Sequence, residues 1–341
     1  GYADGDGSRE NPYQIATGEQ LARLVTSKDT AGKYYKLTQD ILLNDTSASN
    51  WTENSPQPWV IQGPEDIQFR GTLEGDGHTV SGLYINTDVG GWLYAGLFNR
   101  LGSGAVVRNV GFTKTDITLN NSVSGQDTYA GALAGYAQGG AVTISGCYGD
   151  DTVRVKTASA GGNPVGTGGL VGAAAVTTRF SDCFFTGVLE CSKSERANAF
   201  CGNTWAPYES SIENCYTLNN TVYLTAPKTL TNVYSTEAQD GVTVLTEAQM
   251  TGDAAKTSMS AFDWDTVWIA LSEKTPQLRA FGFQEKPENV WDGTTASDYA
   301  GGSGTETDPY QIATGEQLAK LVTSKDTAGK YYKLTNDICL N

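Results

Sequence analysis

The sequence predicts an all-β chain: a right-handed parallel β-helix with a short N-terminal capping helix and a C-terminal helix plus closing strands. Three observations point there. Apolar anchors recur at 30–37 residues through the middle of the chain. Strand-like residues surround each anchor, and glycine, 40 of 341 residues, punctuates them. The opening text also returns near the end, so repetition operates on two scales.

The short period is read from four segments: AGLFNRLGSGAVVRNVGF (Ala95–Phe112), GALAGYAQGGAVTISGCYG (Gly131–Gly149), GGLVGAAAVTTRFSDCFFTG (Gly168–Gly187) and NAFCGNTWAPYESSIENCYT (Asn198–Thr217). Leu97, Leu133, Leu170 and Phe200 are 36, 37 and 30 residues apart. Val110, Cys147, Cys183 and Cys215 are 37, 36 and 32 apart, and Val233 marks one further, shortened turn. Two anchors per repeat with glycine between them do not make a helical period. They fit short strands wound into a coil, each turn stacking on the last at about 4.8 Å. Like residues then form internal columns, Leu over Leu and Cys over Cys.

The elements before and after agree. Thr17 and Gln20 form a Thr-x-x-Gln capping box, and Leu21, Leu24 and Val25 place apolar groups on one helix face. Lys33–Asn44 alternates apolar and polar residues as a half-buried strand does, and Phe69–Asn86 reads strand, Gly-rich turn, strand. Thr246 and Gln249 repeat the box before a second helix, and two short strands around Trp264–Phe281 close the module. The expected organisation is a β-helix module over 1–283 (helical cap about 17–27, solenoid about 33–240, C-terminal cap about 245–283), a polar Gly/Thr/Asp-rich linker over 284–309, and the start of a second copy over 310–341. An open solenoid end invites strand pairing, so the two helical segments are expected to lid the two ends.

The long period is 341 − 44 = 297 residues. Over the 33 positions from Pro12 to Asn44, only Arg23/Lys320, Gln39/Asn336 and Leu42/Cys339 differ. The second copy carries the same apolar face (Leu318, Leu321, Val322, Tyr331, Leu334, Ile338), so it is expected to dock on its own solenoid or a neighbour.

The formal charge of −15 argues against nucleic acid or an anionic membrane as partner. No apolar run approaches the about 18 residues of a spanning helix. The start, GYADGDGS, reads as an internal segment or a mature form rather than a signal peptide.

These motifs resemble a known group. GGLVG, GALAG and AGLFN, followed by SGCYG, SDCFF and ENCYT, look like the GLUG motif of repetitive bacterial surface proteins, found also beside peptidase domains in some immunoglobulin A peptidases. GTETDPYQIATGEQLAKL, GTLEGDGHTVSGLYIN and the Thr246–Leu271 region resemble adhesin-like right-handed β-helix proteins of gut Firmicutes. The resemblance implies an extracellular, cell-wall-associated array that meets a host or plant glycan or a surface protein, and neighbouring modules of its own chain. The function expected is a non-enzymatic stalk or ligand-display module without a cofactor, with a carbohydrate-binding or pectin-type polysaccharide-degrading β-helix as the alternative.

Parallel β-helices also scaffold pectin lyases and polygalacturonases, so chemistry must be weighed. Asp150 and Asp151 offer adjacent carboxylates, but neighbours on a strand face opposite sides unless a turn intervenes. No Gly-His-Gly stands near them, although an Arg-x-Lys, Arg154-Val155-Lys156, follows closely. His78, the single histidine, lacks an evident orienting partner and reads as a turn residue bonded to backbone. Asp4, Asp6 and Glu10 form a weak Ca²⁺ candidate, because the second copy has Gly301 and Ser303 at the first two positions. Cys147, Cys183 and Cys215 interchange with Val110 and Val233, which reads as small apolar core. The loop aromatics Trp51, Trp59, Trp205 and Tyr208 are the candidates for ligand contact, since such rings stack on sugars and anchor interfaces. Trp264 and Trp268 read as core.

Overall fold

In a computed structural model the described residues are 1–59, 67–88, 90–161, 163–222, 224, 228–284 and 291–340. Residues 285–290 of the expected linker lie outside them. The chain forms two compact units, Gly1–Phe283 and Gln284–Asn341.

The first unit is a parallel β-solenoid of about five turns. One coil shows the plan. Val106–Thr113 lies in the wide sheet and Thr115–Asn121 in a second sheet. Thr128–Gly131 and Ala134–Ala137 supply the third and fourth sheets, and Val142 returns to the wide sheet one ladder step on. Register is kept from coil to coil: Val107, Ile144, Phe180 and Ile212 are successive partners. Lys228–Ser235 then pairs directly with Ser210–Thr217, so the final turn is shortened.

A column of left-handed residues explains how the wide sheet bends at the same place in each coil. Asn109, Gly146, Asp182, Asn214 and Asn232 all have φ between 51° and 59°. Only Gly, and less readily Asn and Asp, adopts this region at low cost. Asn232 Nδ2 donates to Asn214 Oδ1 at 2.8 Å, so the column also bonds along the axis. The next residue in each coil, Val110, Cys147, Cys183, Cys215 or Val233, turns inward and is buried. The N–H of Cys183 points at Cys215 Sγ, 3.3 Å away, and the Cys147, Cys183, Cys201 and Cys215 thiols are all buried. Leu97, Leu133, Leu170 and Phe200 form a second fully buried column in four consecutive coils.

At the N-terminal end, Tyr13–Ile15 pairs in parallel with Tyr34–Leu37, and helix α1 (Gly18–Val25) connects them. Thr17 Oγ1 accepts from Gln20 N (3.3 Å), while Gln20 Oε1 reaches Ala16 N (2.7 Å), one residue beyond a standard capping box. Leu21, Leu24 and Val25 enter the core. The outer edge of Tyr13–Ile15 is covered by the chain itself, through Ala3 N to Gln14 O (2.9 Å) and Gln14 N to Asp4 O (2.8 Å).

The C-terminal segment departs from the expected end lid. Thr246 and Gln249 make both bonds of a capping box, but a 3₁₀ turn (Glu247–Met250) and the short helix α2 (Asp253–Ser258) follow. Met250, Met259, Phe262, Trp268 and Leu278 pack along the flank of the wide sheet, against Tyr148, Phe184, Tyr216 and Tyr234. The cause is local. From Cys147 onward the residue after each inward anchor faces outward and is aromatic (Tyr148, Phe184, Tyr216, Tyr234), and rings stack: Tyr148 on Phe184 at 4.6 Å and Phe184 on Tyr216 at 5.1 Å. A continuous apolar stripe of this kind needs cover. The segment runs back as far as Gly77 (φ 78°), where a Cβ would stand 1.8 Å from Ala280 O.

The second unit rebuilds the first cap. Helix α3 (Gly315–Thr323) has its N-cap Thr314 at φ −136°, ψ 162°, against −137°, 160° at Thr17. Tyr299, Tyr310 and Tyr332 reproduce the Tyr2–Tyr13–Tyr35 cluster, with centroids 4.7 and 5.5 Å apart in both. Structural repetition thus starts at Tyr2/Tyr299, ahead of the Pro12 limit visible in the sequence. The apolar face expected to dock is uncovered at Val322 and Leu334, which are 74% and 61% exposed. Within the copy, the tyrosine cluster and residues 291–297 supply the packing and hydrogen bonds.

Candidate ligand-binding flank

Opposite strands of the third and fourth sheets carry a group of aromatic side chains. Register puts Tyr129 beside Tyr94, and Tyr136 beside Arg100. Tyr94 stacks on Tyr129 at 5.5 Å with 6° between planes and on Tyr136 at 5.1 Å. The Arg100 guanidinium lies 4.8 Å from the Tyr94 centroid. The next coil has Gly166 and Ala173 at the paired positions, and Trp205 lies edge-on to Tyr129 (5.7 Å) and Tyr136 (6.4 Å). Tyr208, three residues on, is 41% exposed.

Polar groups frame these rings. The Tyr94 hydroxyl donates to Asp127 Oδ2 at 3.4 Å. Burial pushes the Asp127 carboxyl upward, opposed by hydrogen bonds from Tyr129 and Tyr94. Burial likewise raises all three phenols, so they stay neutral donors. Arg196 is bonded to Asn203 Oδ1 beside the Trp205 segment. Tyr94 and Tyr129 are buried, 8% and 1% exposed, so the surface open to a pyranose ring or a partner side chain is that of the part-buried Tyr136 and Trp205 and the exposed Tyr208.

The other predicted aromatics lie elsewhere. Trp51 is buried, edge-on to Tyr84 at 6.1 Å, at the base of a 470 Å³ groove with Lys114, Asp151, Arg154 and Val188. Trp59 is a core pillar whose Nε1 donates to Leu97 O at 3.0 Å. Of the four candidates, only Trp205 and Tyr208 share a neighbourhood with the tyrosine group. Tyr94, Tyr129 and Tyr136 escaped the sequence reading. The repeated LYAG and TYAG ahead of two Leu anchors were the available signal.

The carboxylate pair sits in a turn, as joint action would require, and lines a 510 Å³ groove with Glu247, Glu273 and Lys274. Asp150 Oδ1 is committed to Thr152, accepting from its N–H (3.0 Å) and its hydroxyl. Burial raises the Asp150 carboxyl, and the Thr152 bonds oppose this. His78 has a partner that the sequence did not reveal: Asp40 Oδ1 lies 3.3 Å from its Nδ1 and accepts from Thr79 N at 2.9 Å. The expected backbone bond is replaced by a carboxylate because adjacent coils bring residues 38 positions apart side by side. Asp4 and Asp6 close turns on Gly5 N (2.7 Å) and Ser8 N (2.9 Å). Among the described residues no cluster of three or more His, Cys, Asp or Glu is placed to hold a metal ion. No described helix is long and apolar enough to cross a membrane.

No family model matches the sequence. The chain is similar to halomucin of Haloquadratum walsbyi (34% identity over 136 residues). It is also similar to the "Putative Gly-rich membrane protein" of Evansella cellulosilytica (34% identity over 134 residues). These matches cover 40% and 39% of this chain but only 1% and 14% of the two relatives. Among solved structures, the "putative immunoglobulin A1 protease" of Bacteroides ovatus aligns over 82% of this chain and 95% of its own, at 15% identity and a TM-score of 0.48.

Proposed function

We propose that the chain is a non-enzymatic repeat module of a bacterial cell-surface, adhesin-like protein, and that it displays a ligand-binding flank at Tyr136, Trp205 and Tyr208, backed by the buried Tyr94 and Tyr129. The observation that carries this reading is the 297-residue repeat. Evolution by duplication of a whole cap implies a string of such modules, and a string serves presentation at a surface. The resemblance of GGLVG-type segments to the GLUG motif supports it. So do the short matches to halomucin, many times longer than this chain, and to a Gly-rich membrane protein about three times as long. The net charge of −15 suits an extracellular chain and disfavours nucleic acid. The ligand class best suited to neutral phenols and an indole edge is a glycan.

A glycan array probed with the chain and with a Trp205→Ala/Tyr208→Ala variant tests the reading. Signal on a defined glycan class, lost in the variant, supports it. Absence of signal on host and plant glycans alike leaves only the presenting role. A second reading, polysaccharide cleavage, is favoured by the acidic groove at Asp150 and Asp151. Release of reducing ends or unsaturated products from polygalacturonate, abolished by Asp150→Asn, would establish it in place of the first.

A further inference from the structure

Two copies of one cap offer an internal comparison, because each is covered where the other is open. In the second copy, residues 291–297 (Trp-Asp-Gly-Thr-Thr-Ala-Ser) lie against the outward face of α3 and the segment after Leu334. Trp291 N donates to Cys339 O at 2.9 Å, Asp292 N to Glu316 Oε1 at 3.2 Å, and Ala296 N to Glu316 O at 3.0 Å. Lys320 Nζ reaches Ser297 O. Trp291 packs so closely on the first helical residue that a Cβ on Gly315 would stand 2.3 Å from its own Cβ. Gly315 and Ala319 are thereby buried.

The first copy has the same helix face without that segment, and Gln57, Pro58 and Trp59 form a further wall beside it. Gly18, Glu19, Ala22 and Leu42, at the positions of Gly315, Glu316, Ala319 and Cys339, line a 530 Å³ groove. Leu42 is 61% exposed in it. Nothing in the first unit requires glycine at position 18. Its φ is not positive, and a Cβ there would meet only the Leu43 side chain at 3.0 Å. Its presence is explained if a tryptophan must fit over it.

We infer that the groove at Gly18 and Leu42 is the docking site for the Trp291–Ser297 segment of a second copy of this chain. The segment preceding each module then belongs to that module's cap rather than to a free tether. The backbone acceptor at position 42, the carboxylate at 19 and the gap over Gly18 match the three contacts made in the second copy. Leu43 leans over Gly18, whereas its counterpart Leu340 is 45% exposed, so admission of the tryptophan requires one side chain to swing away. This deepens the array reading of the chain, while glycan binding is independent of it.

The test extends the full chain before Gly1 by the seven residues Trp-Asp-Gly-Thr-Thr-Ala-Ser, which restores the register of the second copy. Hydrogen exchange of α1 and protease cleavage of the added residues are then followed. The expected result is exchange slowed about tenfold or more across α1, with the added segment resistant to cleavage. Replacing the added tryptophan by Ala removes both effects. Gly18→Ala removes them in the extended chain and leaves the unextended chain's α1 no less protected. Unchanged exchange with a freely cleaved segment overturns the inference, as does protection that survives either substitution. Glycan-array signal, measured on the same proteins, separates this failure from failure of the ligand reading.

Discussion

Leu37 and Leu334 are the same strand residue in two copies of one cap, 334 − 37 = 297 positions apart, and their exposures are 0% and 61%. The difference lies in what covers them. Leu37 is roofed by the coils that follow it, such as Leu73, which pairs with the neighbouring Tyr35. Identical local sequence therefore has two energetic meanings. Leu37→Ala should lower the stability of the first unit by about 2–5 kcal/mol, as burial in a closed core implies. Leu334→Ala should change it by no more than about 0.5 kcal/mol. Urea unfolding of the two variants, followed by near-UV dichroism, checks both values.

The cysteine column gives a reactivity prediction. Burial raises the Cys147 and Cys183 thiols well above the ordinary range, and Cys201 is pushed up to about 12. A disfavoured thiolate is a poor nucleophile. An aromatic disulfide reagent at pH 8 should titrate Cys191 and Cys339, both part-exposed, well before the other four, which should react only on unfolding. Cys183→Val should cost less than about 1.5 kcal/mol, because Val110 and Val233 fill the same column.

The left-handed column predicts a contrast at one residue. Asn214→Gly should be mild, since φ 52° suits glycine and the losses are its side-chain bonds to Asn232 and Asp182 in the same column. Asn214→Val should cost about 2 kcal/mol, combining left-handed strain with the same lost side-chain bonds. Thermal denaturation of the pair separates backbone from side-chain effects.

Asp127 supplies a pH dependence. Burial is the largest influence on its carboxyl and raises it, so the folded state holds the proton more tightly than the unfolded chain. Stability linked to this group is thus fully present below the unfolded value of about 3.9 and declines as pH rises through the raised folded value. Asp127→Asn should raise the melting temperature at pH 7, and the gain should vanish at about pH 3. A gain that instead grew on acidification would show that hydrogen bonds from Tyr94 and Tyr129, not burial, dominate.

The coil was legible because its constraints repeat. Leu97, Leu133, Leu170 and Phe200 occupy one inward position, and any residue there must be large and apolar. The turn column was half visible: Asn109, Asp182 and Asn214 stood before Val or Cys in the sequence, but only backbone geometry shows that they are left-handed. Relationships across coils were hidden. His78 meets Asp40, and Trp59 meets Leu97, through stacking of residues 38 apart, a distance that varies with every loop insertion. The flank strap was misread for a related reason. The sequence shows apolar residues at Met250, Phe262 and Trp268 but not which open surface they cover. The tyrosine group was missed because Tyr94 and Tyr129 sit beside conspicuous Leu anchors and were absorbed into them.

The strap has a consequence for load. Because Ala280 and Phe281 lie against Gly77, the chain leaves the first unit beside the coils where it entered, having run back past Phe184 and Tyr148. A pull between the two termini is therefore borne by the first coils and the strap. The coils from Val106 onward hang outside the line of tension like a pendant. In the array proposed above, shear and drag would spare those coils, so the proposed binding surface at Tyr136 and Trp205 would keep its shape under load.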